Sequence, residues 1–383
     1  METDTKVYLR KKFMQYYGSH EVAAPAEIAS REFGTGTLET KIKVRHKSFS
    51  SQRDLNNYLK REVPFYISYS AAYYEFPENQ PMSEKKWRGA DLVFDLDTEM
   101  NMLSEKKLAV VKEEAQNLLD FLVTDFGFPK SEIEVNFSGG KGYHIKVFDE
   151  RVKKLGGIER RGIVDYVTGA GFDLEAHLIP EAAAGIPMKG RGTFQSKAHF
   201  TEVLKGPAKE DSGWGKRAYN IASDVISSDA ARLRSFYHIS EKKAEELERN
   251  RENNRRRLDS GYWEGFVGIT KNMQKTLIET YAVKFAPDDV DGSVTFDTTR
   301  LIRLPDTLHG GSGLVAKRVA DLGPFDPLKD AVAFGKEEVK IQLKEEAKFD
   351  LGDQSFTLLP GIVSVPEYAA VYLLLKDKAD VIR

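Results

Sequence analysis

Hydrophobic and polar residues alternate along the stretch GADLVFDLDTE, which spans residues 89–99. Side chains alternate between the two faces of a β-strand, so Leu92 and Leu96 point to one face. Asp95 and Asp97 then lie next to each other on the opposite face, where like charges repel. A divalent cation would remove this repulsion, because carboxylate oxygens are natural ligands of magnesium and manganese. A strand whose acids are simply hydrated is the alternative, so the pair needs support from other segments.

The segments that follow this strand predict a local β-α-β-β order. Apolar residues recur at helical spacing over 108–122, and Gly127 and Pro129 are typical signals for the end of that helix. Two alternating segments follow, at 133–137 and 143–148. Because a five-residue, glycine-containing link joins them, they are predicted to form a β-hairpin.

Other elements are predicted from the same kind of pattern. Residues 3–20 form a helix with Gly18 as its stop signal, and strands follow at 41–45 and 65–70. Much later in the chain, alternation returns at 291–296, which predicts a further strand.

The distribution of these elements divides the chain into three parts. Residues 1–150 and 285–345 contain most strand signals and are predicted to form one discontinuous α/β core. Residues 150–285 have few strand signals and include a highly charged helix at 240–258, so this region is predicted to be a mostly helical domain. Residues 346–383 suggest short strands and a helix packed on the core.

The composition of the chain excludes several classes of protein and of site. The chain has 383 residues, of which 41% are hydrophobic and 30% charged, as in ordinary globular proteins. No apolar run could span a bilayer and no signal peptide is evident, so the expected location is the cytoplasm and no membrane partner is expected. Cysteine is absent, which excludes disulfides, thiolate nucleophiles and cysteine-based zinc sites. The formal net charge of −2 carries no nucleic-acid signature.

The hairpin link SGGKGYH, at 138–144, has the composition of a phosphate-binding loop. Its glycines let backbone N–H groups approach an anion closely. Ser138 adds a hydroxyl donor, Lys141 a cation and His144 a ring nitrogen. The loop is not a Walker motif, and a glycine-rich turn with incidental polar residues explains this segment about equally well.

A third segment, VDGSVTFDTTRLIRLPDTLHGGSG, adds groups of the same kind. Asp291 could supply a third carboxylate, while Arg303 and His309 could hold phosphate oxygens. Taken singly, a turn aspartate, a surface arginine and a packed histidine are the more ordinary explanations. Together with the other segments, these residues match the needs of nucleotidyl transfer, in which acids hold metals and cations bind phosphates.

Four motifs in this order, D-L-D, S-G-G-K-G-Y-H, D-G-S-V and R-L-P-D-T-L-H, closely resemble the small catalytic subunit of archaeal and eukaryotic DNA primases. The resemblance covers most of the chain. It implies an α/β primase-type catalytic core with an RRM-like sheet and a mostly helical domain. It also implies synthesis of short RNA primers, with DNA as an open alternative, on single-stranded DNA from nucleoside triphosphates. The implied protein partner is the large primase subunit.

The resemblance also implies roles for individual residues. Asp95, Asp97 and Asp291 would be the catalytic carboxylates that bind two Mg²⁺ or Mn²⁺ ions. Glu32 and Arg45 match positions near the nucleotide sugar. The residues that match positions in contact with the nucleotide phosphates are Ser138, Lys141, His144, Arg303 and His309.

The chain departs from many archaeal relatives in one respect, because it has no Cys/His zinc knuckle after the D-L-D strand. A structural zinc is therefore not expected. Two further readings stay open: a primase-like repair polymerase that extends existing ends, and an RRM-like module that binds nucleic acid without catalysis. A sugar-nucleotide transferase could also have a D-x-D metal site, but it would not explain the S-G-G-K-G-Y-H hairpin.

Overall fold

The computed structural model describes residues 1–184, 200–282 and 292–382. The chain divides into two compact units. One comprises Met1–Val167 with Pro287–Arg383, and the other comprises Thr168–Ala286. The first unit is therefore discontinuous in sequence. Among the described helices, none combines the length and the apolar character needed to cross a bilayer.

Helices and strands alternate along the described chain. The helices are α1 (Thr3–Ser19), α2 (Gln52–Glu62), α3 (Glu105–Asp120), α4 (Glu150–Lys153), α5 (Gly157–Val167), α6 (Gly213–Ser227), α7 (Ala230–Ser235), α8 (Glu241–Arg249), α9 (Arg251–Asp259), α10 (Lys271–Ala282), α11 (Gly292–Phe296), α12 (Pro327–Asp330) and α13 (Glu367–Leu375). The strands are β1 (Phe33–Gly36), β2 (Val44–Lys47), β3 (Tyr66–Ser70), β4 (Ala72–Tyr74), β5 (Trp87–Ala90), β6 (Leu92–Asp97), β7 (Ile133–Phe137), β8 (Gly142–Val147), β9 (Ile179–Ala184), β10 (Phe200–Lys205), β11 (Leu301–Arg303), β12 (Arg318–Val319), β13 (Glu338–Leu343), β14 (Ala347–Leu351), β15 (Gln354–Leu358), β16 (Gly361–Pro366) and β17 (Ala379–Val381).

The first unit contains two four-stranded antiparallel sheets. Their strand orders are β11-β3-β1-β2 and β12-β7-β8-β6. The second sheet contains β6, β7 and β8, and α3 lies between β6 and β7 in sequence, so the predicted β-α-β-β order is confirmed. A mixed α/β class with several small antiparallel sheets is likewise confirmed.

Strand β6 forms because its alternation suits a sheet with one buried face. Leu92, Phe94 and Leu96 are fully buried, and Asp95 and Asp97 occupy the opposite face. Helix α3 packs against β6 and β8. The buried side of this helix consists of Leu108, Val111, Ala115 and Leu118.

Two predictions of strands need correction. The strand predicted at 41–45 instead begins at Val44 and ends at Lys47. The pairing of β1 with β2 is irregular here: Lys43 N donates to Thr35 O before the strand begins, and the register shifts between Phe33 and Thr35. The strand predicted over 291–296 is wrong for its described part, since Gly292–Phe296 forms α11.

Helix α11 illustrates how packing can override local preference. Its β-branched residues Val294 and Thr295 favour strands in isolation. Both are buried, and the helix packs against α5 and β6. Burial against these neighbours outweighs the small intrinsic cost of β-branched residues in a helix.

The described residues of the second unit are mostly helical, with α6 to α10 and an antiparallel pair of strands, β9 and β10, that the sequence pattern did not reveal. The charged segment 240–258 forms two helices, α8 and α9, which meet at Asn250. Helix α5 belongs to the first unit, although the sequence pattern assigns residues from 150 onward to the helical part.

The C-terminal segment belongs to the first unit and contains a three-stranded sheet, a hairpin and α13. Helix α13 is buried on every side from Tyr368 to Leu374, as expected for a helix that is hydrophobic all round. Its Tyr372 hydroxyl accepts a 2.8 Å hydrogen bond from the backbone N–H of Leu103. This contact attaches α13 to the chain between β6 and α3.

A buried ion pair joins the two large sheets at the entry to β6. Arg31 Nη2 lies 2.7 Å from Asp91 Oδ2, and neither side chain is more than 1% exposed. Arg31 Nη1 donates to the carbonyl oxygens of Ser70 and Ala71, and the Tyr73 hydroxyl donates to Asp91 Oδ1 at 2.7 Å. These bonds satisfy both charges and hold the start of β6 against the end of β3.

Arg31→Met is expected to destabilise the first unit strongly. Removing one partner of a buried pair leaves the other charge uncompensated, which costs about 3–5 kcal/mol. Chemical denaturation followed by circular dichroism measures the loss. Lys6→Met is the control, because the Lys6–Glu39 pair is exposed and 2.7 Å long. If both variants lost the same small amount of stability, the buried pair would not hold the sheets together.

Candidate active site

The two aspartates of β6 face the glycine-rich hairpin across a strand pairing. Asp95 lies opposite His144, and Asp97 lies opposite Gly142. His144 Nε2 lies 3.3 Å from Asp95 Oδ1. That oxygen is buried and has no hydrogen-bond partner with good geometry. Two carboxylates on one strand face provide oxygen ligands of the kind that divalent cations prefer.

The electrostatic environment separates the two acids. Burial raises the pKa of Asp95, but the nearby His144, Arg300 and Lys41 lower it by more, so the net shift is downward. Desolvation and the charge of Asp95 raise the pKa of Asp97. The repulsion between two carboxylates on one strand face is therefore expressed in the raised pKa of Asp97.

The glycine loop is held by Ser138. Ser138 N donates to Gly142 O at 2.8 Å, and Ser138 Oγ accepts 3.3 Å bonds from the N–H groups of Gly140 and Gly142. Gly139 adopts a φ of +77°, a backbone conformation that favours glycine. The serine therefore shapes the loop, while its hydroxyl hydrogen stays available to an anion.

His309 is packed against this loop. A Cβ built on Gly140 would lie 3.2 Å from His309 Nε2, so a larger residue here would require the His309 ring to shift. His309 Nδ1 accepts a 3.2 Å bond from Gly311 N, which places the ring proton on Nε2. Burial lowers the pKa of His309 well below its usual value, and Arg303 lowers it further. His309 is thus a neutral imidazole whose Nε2–H can donate to an anion.

Arg303 ends β11, where it pairs with Ser68 of β3. Its guanidinium lies 5.0 Å from the centre of the Tyr66 ring. Burial lowers the pKa of Arg303, and its Nη1 is buried without a hydrogen-bond partner in the described structure. A buried guanidinium nitrogen without an acceptor is a strong position for binding an anion.

Arg45 and Glu32 form a linked pair at the side of the site. Arg45 Nε lies 2.9 Å from Glu32 Oε1, and the Glu32 side chain is fully buried. Lys85 Nζ, also buried, lies 3.7 Å from Glu32 Oε2. Glu32 therefore orients Arg45, and its own carboxylate is surrounded by cations of the protein.

These residues line one cleft with a volume of about 690 Å³. The predicted site residues that line it are Arg45, Asp95, Asp97, Ser138, Lys141, His144, Arg303 and His309. Glu32 lies behind Arg45 and is not in the lining. Asp291 lies outside the described residues.

The cleft also contains cations that the sequence analysis did not assign to the site: Lys41, Arg300 and Lys376. Lys41 lies three residues before β2, and Arg300 directly precedes β11. Lys376 follows α13 and is distant in sequence from every motif. Nothing in the sequence of that segment indicates that it reaches the cleft.

The described residues contain no group of three or more histidine or acidic side chains arranged to hold a metal. Asp95 and Asp97 provide two carboxylates. Mg²⁺ is commonly bound through one or two carboxylates, with substrate phosphates and water completing its shell. The donor set of the cleft therefore fits a divalent cation that is shared with a phosphorylated ligand.

Comparison with known proteins gives consistent results. The model of the family described as DNA primase small subunit matches residues 94–321. A DNA primase small subunit of Methanothrix thermoacetophila is 37% identical, over 100% of both chains. One from Methanosarcina barkeri is 35% identical, over 99% of this chain and 97% of the relative. One from Halobacterium salinarum is 37% identical, over 99% of both chains.

Gly142→Ala is expected to destabilise the site and abolish its function. A Cβ at this position would overlap the carbonyl oxygen of Leu96 and lie 2.8 Å from Asp97 Oδ1. Forcing β8 away from β6 should cost at least about 1–3 kcal/mol, as other overpacked cores do. Thermal unfolding measures this loss.

Gly162→Ala in α5 is the control, because no atom lies within 4 Å of its Cβ position. It should raise stability by about 0.5–1 kcal/mol. Equal stability of the two variants would mean that the β6–β8 pairing does not require glycine.

Proposed function

Because the chain belongs to the DNA primase small-subunit family, we propose that it synthesises short RNA primers on single-stranded DNA, with DNA primers as the open alternative. The observation that carries this proposal is the convergence of two strand acids, a glycine loop and several cations in one cleft. In this reading β6-α3-β7-β8 is the RRM-like part of the catalytic core.

Two divalent ions, Mg²⁺ or Mn²⁺, would be held by Asp95, Asp97 and Asp291. When bound, such ions activate a 3′-hydroxyl and stabilise the leaving pyrophosphate. The position of both acids on one face of β6, beside the glycine loop, supports this assignment. So does the packing of α11, the helix directly after Asp291 in sequence, against β6.

The triphosphate would be held by the protein's own donors. The Ser138 hydroxyl and Lys141 form one side. The Nε2–H of His309 and the unpartnered Nη1 of Arg303 form the other. His144 contacts Asp95 in the described structure, so we assign it to orienting that acid as well as to phosphate binding.

Arg45 would reach the nucleotide near its sugar. Because the Glu32 carboxylate is buried beneath Arg45, Lys85 and His46, it acts by fixing Arg45. A direct contact between Glu32 and the sugar would require these ion pairs to rearrange. Glu32 is therefore a positioning residue in this proposal.

Asp95→Asn and Asp97→Asn are each expected to lower primer synthesis by several orders of magnitude, because each removes a charge that holds metal. The fold should remain intact, and Asp97→Asn should be at least as stable as wild type without metal, since it relieves repulsion between the acids. Activity on poly-dT with ATP and Mg²⁺ or Mn²⁺ measures the effect. Glu99→Gln, outside the cleft lining, is the control. Near-normal turnover of Asp95→Asn or Asp97→Asn would refute the catalytic assignment.

We further propose that this chain works with a large primase subunit, which matches the small-subunit names of its relatives. Forming the first bond requires two nucleotides to be aligned on the template, and a partner surface can supply that alignment. The helical region at 150–285 is the proposed docking surface. Alone, the chain should extend primed templates but start new chains poorly.

Unprimed and primed synthesis, each measured with and without the large subunit, test this division of labour. We expect the large subunit to raise the rate of first-bond formation and to leave extension of a primed template nearly unchanged. Equal initiation rates in both conditions would refute the division, while the catalytic assignment would stand on the primed reaction.

A further inference from the structure

The cleft contains cations that its acids do not neutralise. Within the described ranges, the lining cations with no carboxylate oxygen at ion-pair distance are Lys41, Lys141, Arg300, Arg303 and Lys376. The lining carboxylates in the same part of the chain are Asp95, Asp97 and Asp297. This imbalance suits a polyanionic ligand such as a triphosphate.

Lys376 differs from the lysines around it. Lys378 Nζ lies 2.7 Å from Glu345 Oε1, and Lys344 Nζ lies 2.8 Å from Asp377 Oδ1. Both are therefore neutralised at the surface by acids of the same C-terminal segment. Lys376 has no such pair among the described residues and lines the cleft instead.

The backbone around Lys376 is fixed by a close approach of glycine. Gly313 adopts a φ of +74°, and a Cβ on it would lie 3.0 Å from Val371 Cγ1 and 3.2 Å from Leu375 Cδ1. Gly313 N in turn donates to His309 O at 2.8 Å. The last turn of α13 is thus packed against the loop that carries His309, and Lys376 follows directly.

Two structural features favour a cation at this position. The Lys376 ammonium lies 5.6 Å from the centre of the Tyr372 ring, and it stands at the C-terminal end of α13. These two features explain a cation at this position, but they do not explain why it lies among the other cations of the cleft. Lys376 and Lys141 line the same cleft. Burial lowers the pKa of Lys376, and repulsion from the positive charge of Lys141 lowers it further. A bound phosphate between them would turn this repulsion into attraction.

We propose that Lys376 binds the terminal phosphates of the nucleoside triphosphate together with Lys141 and His309, so that the C-terminal helix completes the phosphate site. This inference rests on the proposed function of the cleft. It adds a contact from a segment that none of the four sequence motifs includes.

The test compares Lys376→Gln with Lys378→Gln, which removes a lysine two positions further along the chain that is already paired. Lys141→Gln is the positive control for the triphosphate site. The dissociation constants of ATP and of AMP, each with Mg²⁺ and without DNA, are measured by titration calorimetry. KM and kcat for the nucleotide are then measured on a primed template, and thermal unfolding is recorded for every variant.

Lys376→Gln is expected to weaken ATP binding and raise KM about tenfold or more, as the loss of one charge-assisted phosphate contact predicts. AMP binding, kcat and unfolding temperature should change little, and Lys376→Arg should restore most of the affinity. Lys378→Gln should behave like wild type. If Lys376→Gln lowers the unfolding temperature, Lys376→Met replaces it, because its apolar chain still packs on Tyr372.

Unchanged ATP affinity in Lys376→Gln, with weakened affinity in Lys141→Gln, would overturn the inference and leave the proposed function intact. An equal loss of ATP and AMP binding would also overturn it, because the contact would not be with the terminal phosphates. If Lys141→Gln itself bound ATP normally, the proposed triphosphate site would be refuted, whatever the ATP affinity of Lys376→Gln.

Discussion

The pairing of β6 with β8 is the constraint on which the rest of the site depends. It puts Asp97 opposite Gly142 and Asp95 opposite His144, so the acids and the glycine loop share one strand ladder. The pairing is possible because position 142 has no Cβ to meet the Leu96 carbonyl oxygen. One hydrogen-bonded ladder therefore sets the distance between the groups proposed to hold metal and those proposed to hold phosphate.

Charged groups around this ladder fall into two classes with different physical roles. Arg31 with Asp91 and Lys146 with Glu134 are paired inside the protein, where they hold strands together. Of the cations that line the cleft, Arg45 is paired with Glu32, whereas Lys41, Lys141, Arg300, Arg303 and Lys376 have no carboxylate at ion-pair distance in the described part of the chain. The paired charges stabilise the contacts between strands, whereas the unpaired cations of the cleft are available to bind a negatively charged ligand.

The sequence predicted the parts of the fold in which local pattern and burial agree. The alternation of β6 and the apolar spacing of α3 both correspond to observed elements. Prediction failed for Gly292–Phe296, because the packing of α11 reversed the preference of its β-branched residues. The cleft residues in the motifs were predicted from their chemistry, their spacing and the family resemblance, whereas Lys376 could not be, because only the packing of α13 on Gly313 brings it to the cleft. Glu32 was recognised from its motif, but its burial beneath Arg45 depends on tertiary structure.

The most direct test of the account is a crystal structure of the protein with Mn²⁺, a non-hydrolysable nucleoside triphosphate analogue and anomalous scattering data. The account predicts manganese peaks about 2.0–2.3 Å from carboxylate oxygens of Asp95 and Asp97, as expected for hard divalent cations. It also predicts triphosphate oxygens in contact with the 138–142 loop. Manganese bound elsewhere, or a nucleotide whose phosphates avoid this loop, would contradict the central claim that these acids and this loop form one nucleotidyl-transfer site.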